Sequence, residues 1–377
     1  MLFTSHNTCK NIFSPYNNVT MNKEFLERLE KIEKALDAAI KIDFSDEWKQ
    51  ASFGRLPEAV KPLFIQNLIE PNKKLINLGG KRWRPLFLIL CYELASEKNE
   101  CHFTQEQSYG LTPLVEFVHT ASLIHDDIED SADTRRGKPA AHITYGLDTA
   151  LNAASWLYFE AAACINTLNL SQTQQLELYN LYSRELRRLH LGQAMDIYWH
   201  RNKAIFPTMD EYKAMVKNKT GTLSSLAAQI GFMAGGDSEE KQIKAGDIAS
   251  NLGIGFQIID DVQNLTFGNP GKKRGDDIVE GKKSLPVLIH IERKPEDKAA
   301  ISRLMAQAEK EGIDSPAVEE CISLLKTSGC IEEAAEQGKQ IIQKSCEDFT
   351  GFYGETDNNA SKSITALFDS MIPESYR

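Results

Sequence analysis

The feature that most limits how this chain can fold is a run of aspartates at the end of an apolar helix, and it occurs twice. Residues 115–139 read VEFVHTASLIHDDIEDSADTRRGKP, and residues 253–264 read GIGFQIIDDVQN. In the first, Val115, Val118, Ser122 and the Leu123/Ile124 pair keep a mostly apolar, helix-like spacing that leads into Asp126, Asp127 and Asp130. Asp126 and Asp130 are four apart, so their Cβ atoms lie about 5–6 Å apart on one helix face. Clustered carboxylates repel, and the macrodipole at a helix C-terminus adds to the cost. Magnesium, a hard cation that takes oxygen ligands and bridges to phosphates, best neutralises such a cluster. Arg135 and Arg136 follow at once, and arginine forks match phosphate oxygens. Asp260 and Asp261 end the second helix. Two such helices facing each other would hold metal ions between them.

The rest of the chain predicts helices. Residues 22–42 place Phe25, Leu29, Ile32, Leu36 and Ile40 on one face of an amphipathic helix. Residues 56–80 predict another, broken by Pro62 and Pro71. Further helices are expected over 111–130, 147–170, 174–200, 210–236 and 240–264, with an alternation of helices across 285–377. Residues 266–286, TFGNPGKKRGDDIVEGKKSLP, form a Gly- and Lys-rich stretch without apolar anchors, a candidate lid. There is no strand-rich section, fixed-period repeat, Walker A motif or G-x-S-x-G. The fold class is therefore all-α: a single large helical bundle with a central cavity between facing helices. Residues 21–377 form this one domain, and residues 1–20, polar and without an apolar h-region, read as a disordered leader.

Composition narrows the function. A net charge of −10 argues against nucleic acid as a partner. An anionic substrate must be met by a local basic cluster, and GGKRWRP at 79–85 supplies one, with Lys81, Arg82 and Arg84. His119, two helical turns before Asp126, is expected to share the acidic face. Seven scattered cysteines without CxxC spacing fit reduced thiols in the cytoplasm. No run of 18 apolar residues is present, so no membrane span is expected.

The motifs GGKRWRP, HTASLIHDDIEDSADTRRGKP, GQAMD, the KT of NKTGT, FQIIDDVQN and GKKRGDDIVEGKKSLP stand in the order found in the trans-isoprenyl diphosphate synthases, or polyprenyl synthetases. The chain resembles that family over roughly residues 40–377. The resemblance implies a prenyltransferase that joins isopentenyl diphosphate to an allylic diphosphate head to tail, with three magnesium ions and a homodimeric state. It implies magnesium ligation by Asp126, Asp130 and Asp260, with Asp127, Asp196 and Asp261 supporting the cluster. Arg135, Lys219 and Lys272 or Lys282 resemble contacts to the allylic diphosphate. Lys81, Arg84, His119 and Arg136 resemble the isopentenyl diphosphate pocket, while Thr220 and Gln257 match positions along the reaction path.

The sequence departs from the family pattern at two places. The second motif usually reads DDxxD, and here it ends in Asn264. The GD often found in the central helix is replaced by Ala154-Ser155, followed by Trp156. Ala121 and Ser122, five and four residues before Asp126, are small, so a product of twenty carbons or longer is expected. Phe117, Trp156 or Phe159 could close the tunnel. A terpene synthase-like enzyme that ionises and cyclises a prenyl diphosphate is the alternative, but it would need no second diphosphate pocket. A non-catalytic partner subunit should have lost the first acidic motif.

Overall fold

The computed structural model describes residues 23–41, 45–268, 273–353 and 358–377, so the leader at 1–20 and Lys272 lie outside the described residues. Helix α1 (Lys23–Ala39) buries Phe25, Leu29, Ile32 and Leu36, the stripe its period predicts. It is followed by α2 (Asp46–Phe53), α3 (Pro62–Asn77), α4 (Trp83–Ser96) and α5 (Gln105–Gly110). The first acidic helix is α6 (Pro113–Glu129), with Asp130 as its C-cap. A two-stranded antiparallel hairpin, β1 (Thr134–Arg135) and β2 (Lys138–Pro139), leads to α7 (Ala141–Tyr145). Then come α8 (Leu147–Thr167), α9 (Gln172–Arg201), α10 (Met209–Lys219), α11 (Gly221–Ala234) and the second acidic helix, α12 (Glu239–Thr266). The chain ends through α13 (Asp276–Glu280), α14 (Leu285–Arg293), α15 (Lys298–Glu311), α16 (Pro316–Thr327), α17 (Cys330–Tyr353) and α18 (Asn359–Asp369). The all-α expectation holds.

Three local expectations need correction. Pro62 opens α3 at its first turn rather than breaking it, and Pro71 sits inside the continuous helix. A proline there removes an N–H, but neighbouring packing holds the turn. Asn72 Nδ2 donates to Leu68 O at 2.9 Å and to Ala153 O of α8 at 2.8 Å. The single helix expected over 210–236 is two, joined at Thr220. The segment after α12 does have an apolar anchor, because Ile278 of α13 is 1% exposed within the C-terminal core.

Helix α12 serves two cores. Leu252 and Ile259 join the larger one, built around α4, α6 and α11, while Ile254, Ile258 and Val262 join the one formed with α14 to α17. That placement leaves the polar side of α12 facing α6.

One buried acid away from the cavity has a measurable cost. Glu160 of α8 is only 6% exposed and accepts from Ser52 Oγ at 2.6 Å. Burial pushes its carboxyl up to about 7, with the Ser52 bond opposing the shift. The folded chain thus keeps a proton that the unfolded chain loses near pH 4.5. Stability from this group falls as pH rises from about 4.5 to 7 and stays lower above it. Glu160→Gln should therefore stabilise the protein at pH 8 relative to its effect at pH 5, by on the order of 2 kcal/mol. Thermal melts of both proteins at the two pH values check this, and equal shifts would refute it.

Candidate active site

Helices α4, α6, α9, α10, α11 and α12 enclose a cavity of about 1060 Å³. Two groups of opposite charge line it. Asp126 and Asp130 of α6, Asp196 of α9, and Asp260 and Asp261 of α12 make up one, together with Lys219 and Lys282. Lys81, Arg84, His119 and Arg136 make up the other, and the Asp260 charge acts on both Lys81 and Arg84.

Close helix approach builds the acidic end. A Cβ at Gly192 would lie 2.3 Å from the backbone N of Lys219, so only glycine lets α9 and α10 come this near. Gln193 and Asp196, one and four residues on, then face Lys219. The Lys219 ammonium donates to Asp196 Oδ2 at 2.7 Å and lies 3.7 Å from Asp126 Oδ1. Burial alone would lower its pKa, but Asp126 and Asp196 outweigh this and hold it above the usual lysine range. Burial would likewise raise Asp196, yet Lys219 and Lys282 hold its carboxyl down. Gln193 Nε2 donates to Asp126 Oδ1 at 2.7 Å and also to Glu129. Lys282 Nζ lies 3.3 Å from Asp130 Oδ2 and 3.7 Å from Asp277 Oδ1, and it pairs with Glu280. Each lysine thus spans two or more carboxylates contributed by different helices.

On α12, a polar relay fixes Asp261. Thr220 Oγ1 donates to Gln257 Oε1 at 2.9 Å, and Gln257 Nε2 donates to Asp261 Oδ1 at 2.9 Å. Tyr212 OH donates to Asp261 Oδ2 at 2.7 Å. Burial pushes the Asp261 carboxyl up to about 6 despite these donors. Asp261 is 5% exposed, whereas the neighbouring Asp260 opens onto the cavity more freely. Asp127 is set back further. It is 1% exposed and accepts from Arg135 Nε at 2.8 Å, a pairing held by the hairpin. Asp127 therefore sits behind the cavity wall, where it holds Arg135, which itself lines the cavity.

The carboxylates suit a hard cation. Asp126, Asp130 and Asp260 offer oxygen donors on facing helices. Magnesium takes oxygen ligands, commonly one or two carboxylates plus water and substrate phosphates, so these donors fit it.

At the basic end, Arg84 is 8% exposed and packs over the Trp83 ring at 4.4 Å. Burial pulls its guanidinium down to about 10, and its Nε has no partner. Burial also lowers Lys81. Arg136 has φ +53° and donates from Nη1 to Leu75 O at 3.3 Å. A Cβ at Gly80, whose φ is +156°, would sit 2.8 Å from Arg136 Nη2, so Gly80 makes room for that fork. His119 faces this cluster rather than the acids. Burial and the charges of Arg84, Arg136, Arg82 and Arg135 hold it well below the usual histidine range, so it is neutral at pH 7. Arg82, the third cation of the motif, is committed elsewhere. It donates to Glu33 at 2.7 Å, Glu116 at 2.5 Å and Ile76 O at 2.7 Å.

The apolar wall differs from expectation. Ser122 faces the cavity, but Ala121 is fully buried in the core and does not form its wall. None of the three expected blocking rings reaches it. Phe117 is fully buried elsewhere, Trp156 stacks on Phe53, and Phe159 is 78% exposed. Among the rings that do line the cavity are Trp83, Tyr212, Phe256, Tyr158, His125 and His190. Tyr158 stacks on His125 at 5.4 Å and meets His190 edge-on at 5.1 Å. Gln193, Tyr212 and Tyr158 were missed as site residues. Only Gln193 carried a signal, its spacing of three from Asp196.

The profile of the polyprenyl synthetase family matches residues 65–325. A geranylgeranyl pyrophosphate synthase of Penicillium crustosum is 31% identical over 346 residues, 89% of this chain and 95% of the relative. A short chain isoprenyl diphosphate synthase of Methanocaldococcus jannaschii is 33% identical over 263 residues, 69% of this chain and 77% of the relative. The crystal structure of a geranylgeranyl pyrophosphate synthetase from Pyrococcus horikoshii superposes with a TM-score of 0.70 at 28% identity, covering 92% of this chain and 99% of that one. A family profile matched over most of the chain, and a relative 31% identical across 89% of it, mean that the chain belongs to the polyprenyl synthetase family.

Proposed function

We propose that the protein joins isopentenyl diphosphate to an allylic diphosphate, head to tail, and releases an all-trans prenyl diphosphate of twenty carbons or longer. The observation that carries this reading is that the basic end and the carboxylate end open into the same cavity. A cyclase handles one diphosphate and has no need of Lys81, Arg84, His119 and Arg136 together. The domain is read as continuous over 21–377, because α12 contributes to both cores.

Asp126, Asp130 and Asp260 would hold the ions, with Asp196 and Asp261 supporting them. Magnesium, when bound, supplies positive charge to the leaving diphosphate. The protein's own cations act on the same group. Lys219 and Lys282 already stand among the aspartates and can turn from them to phosphate oxygens. Arg135 is held by Asp127 close behind. Lys81, Arg84 and Arg136 grip the second diphosphate, and neutral His119 donates one N–H to it. Gln257, fixed by Thr220, keeps its polar end beside the path between the two substrates. Leu123, Leu189, Leu223 and Ile259 exclude water from the reacting carbons. No protein nucleophile is required, and the departing diphosphate can take the proton released after carbon–carbon bond formation.

The enzyme is read as a homodimer of the cytoplasm. Leu147, Leu151 and Phe159 of α8, Ile143 of α7 and Leu191 and Tyr198 of α9 are large apolar side chains left exposed. The described cysteines are free, and no helix among the described residues is long and apolar enough to cross a membrane. The test is incubation with magnesium, isopentenyl diphosphate and allylic primers of increasing length. Lengthened prenyl diphosphates, lost on chelation, are expected from a species sedimenting at twice the chain mass. Hydrocarbons formed from the primer alone would favour the cyclase reading, and sedimentation at the single-chain mass would remove the dimer.

A further inference from the structure

Asn264 ends the second acidic motif where the family pattern places an aspartate, yet its side chain does not face the cavity. It is fully buried in the last turns of α12. Its Oδ1 accepts from the Asp277 backbone N–H at 3.2 Å, and its own carbonyl accepts from Gly275 N–H at 2.9 Å. Its Nδ2 has no partner, so the oxygen is the side-chain atom at work. The contact continues along the chain. The Asp277 carbonyl accepts from the Lys282 backbone N–H at 2.9 Å, and Lys282 Nζ reaches Asp130 Oδ2 at 3.3 Å. One amide therefore connects the end of the second acidic helix, through α13, to the cation that sits on the first acidic motif.

We propose that Asn264 is a positioning residue whose side-chain oxygen seats residues 275–282 on α12 and so sets where Lys282 enters the acidic end of the cavity. This deepens the proposed function and rests on it for the role of Lys282. Uncharged oxygen suits the place. Asp261 lies one helical turn away at 5% exposure, and Asp277 is 7% exposed. A carboxylate at 264 would add a further buried negative charge beside two others, whereas an amide accepts the same N–H without it.

Hydrogen exchange of the whole protein, read at the amides of 275–282, separates the seating from the chemistry. In Asn264→Ala the backbone bond from Gly275 remains, so the change read belongs to the side chain. These amides should exchange about tenfold faster, while those of α4 and α11 keep their protection. The kcat/KM for the allylic diphosphate should fall about tenfold, and Asn264→Ala should add little to Lys282→Ala, because both act through one contact. Should Asn264→Ala lose its fold, Asn264→Leu carries the test, since it keeps the volume, removes the acceptor and should lose protection at 275–282. Unchanged exchange at 275–282 in the folded variant overturns the proposal. So does full additivity with Lys282→Ala. Faster exchange in a protein that condenses no prenyl diphosphates would instead uphold the seating and overturn the proposed function.

Discussion

Replacing Asp126 or Asp130 by alanine should lower kcat by about a thousandfold while leaving the helical content unchanged. Both carboxylates open onto the cavity, and each is spanned by a lysine that also contacts a carboxylate from another segment. Removing one takes away an oxygen ligand for the ion and leaves Lys219 or Lys282 drawn more strongly to its remaining partner. The charge that should meet the leaving diphosphate is then both weaker and misplaced. The fold has little at stake. Relief of repulsion at the C-terminus of α6 offsets the lost bond from Gln193 or Lys282, so the melting temperature should move by only a few degrees. Single-turnover kinetics beside circular dichroism melts decide the matter. A variant with near wild-type kcat would remove that aspartate from the ion site.

Asp127→Ala should behave differently, and the reason shows what the sequence could and could not tell. Asp126, Asp127 and Asp130 are chemically alike and adjacent, but only the fold pairs Asp127 with Arg135 and turns it from the cavity. The same holds for the basic motif. Lys81, Arg82 and Arg84 look equivalent in a run of four residues, yet Glu33 and Glu116, distant in sequence, claim Arg82. Motif order revealed which segments meet, because helix spacing and residue chemistry are local. Which member of a cluster faces inward depends on partners from elsewhere in the chain. Pro71 makes the point for the backbone, since its helix runs on without a break and Asn72 beside it bonds to Ala153 O of α8. Phase fails most plainly in α8. That helix is apolar on nearly every side, so no periodicity says that Tyr158 points inward while Phe159, the next residue, is exposed.

That difference supplies a test of where product length is decided under the proposed function. Tyr158 is 7% exposed, lies in the cavity wall and is locked by stacking on His125 and edge contact with His190. These rings stand on α8, α6 and α9 beside the first acidic motif, and under the proposed function the prenyl tail would pass along them with its diphosphate at Asp126. A growing chain gains about 25 cal/mol per Å² of apolar surface it buries, so elongation continues until side chains leave no room. Tyr158→Ala removes the ring that closes the stack, and the major product should lengthen by at least one five-carbon unit. Ser122→Phe adds a ring above the stack and should shorten the product to fifteen carbons or fewer. Ala121→Phe is the weaker probe, because Ala121 is fully buried and a phenyl there would strain the core before it reached the tail. Chromatography of dephosphorylated products gives the answer. If Tyr158→Ala and Ser122→Phe both stay active with the wild-type profile, the tail does not run along this wall, and the floor of the cavity lies elsewhere.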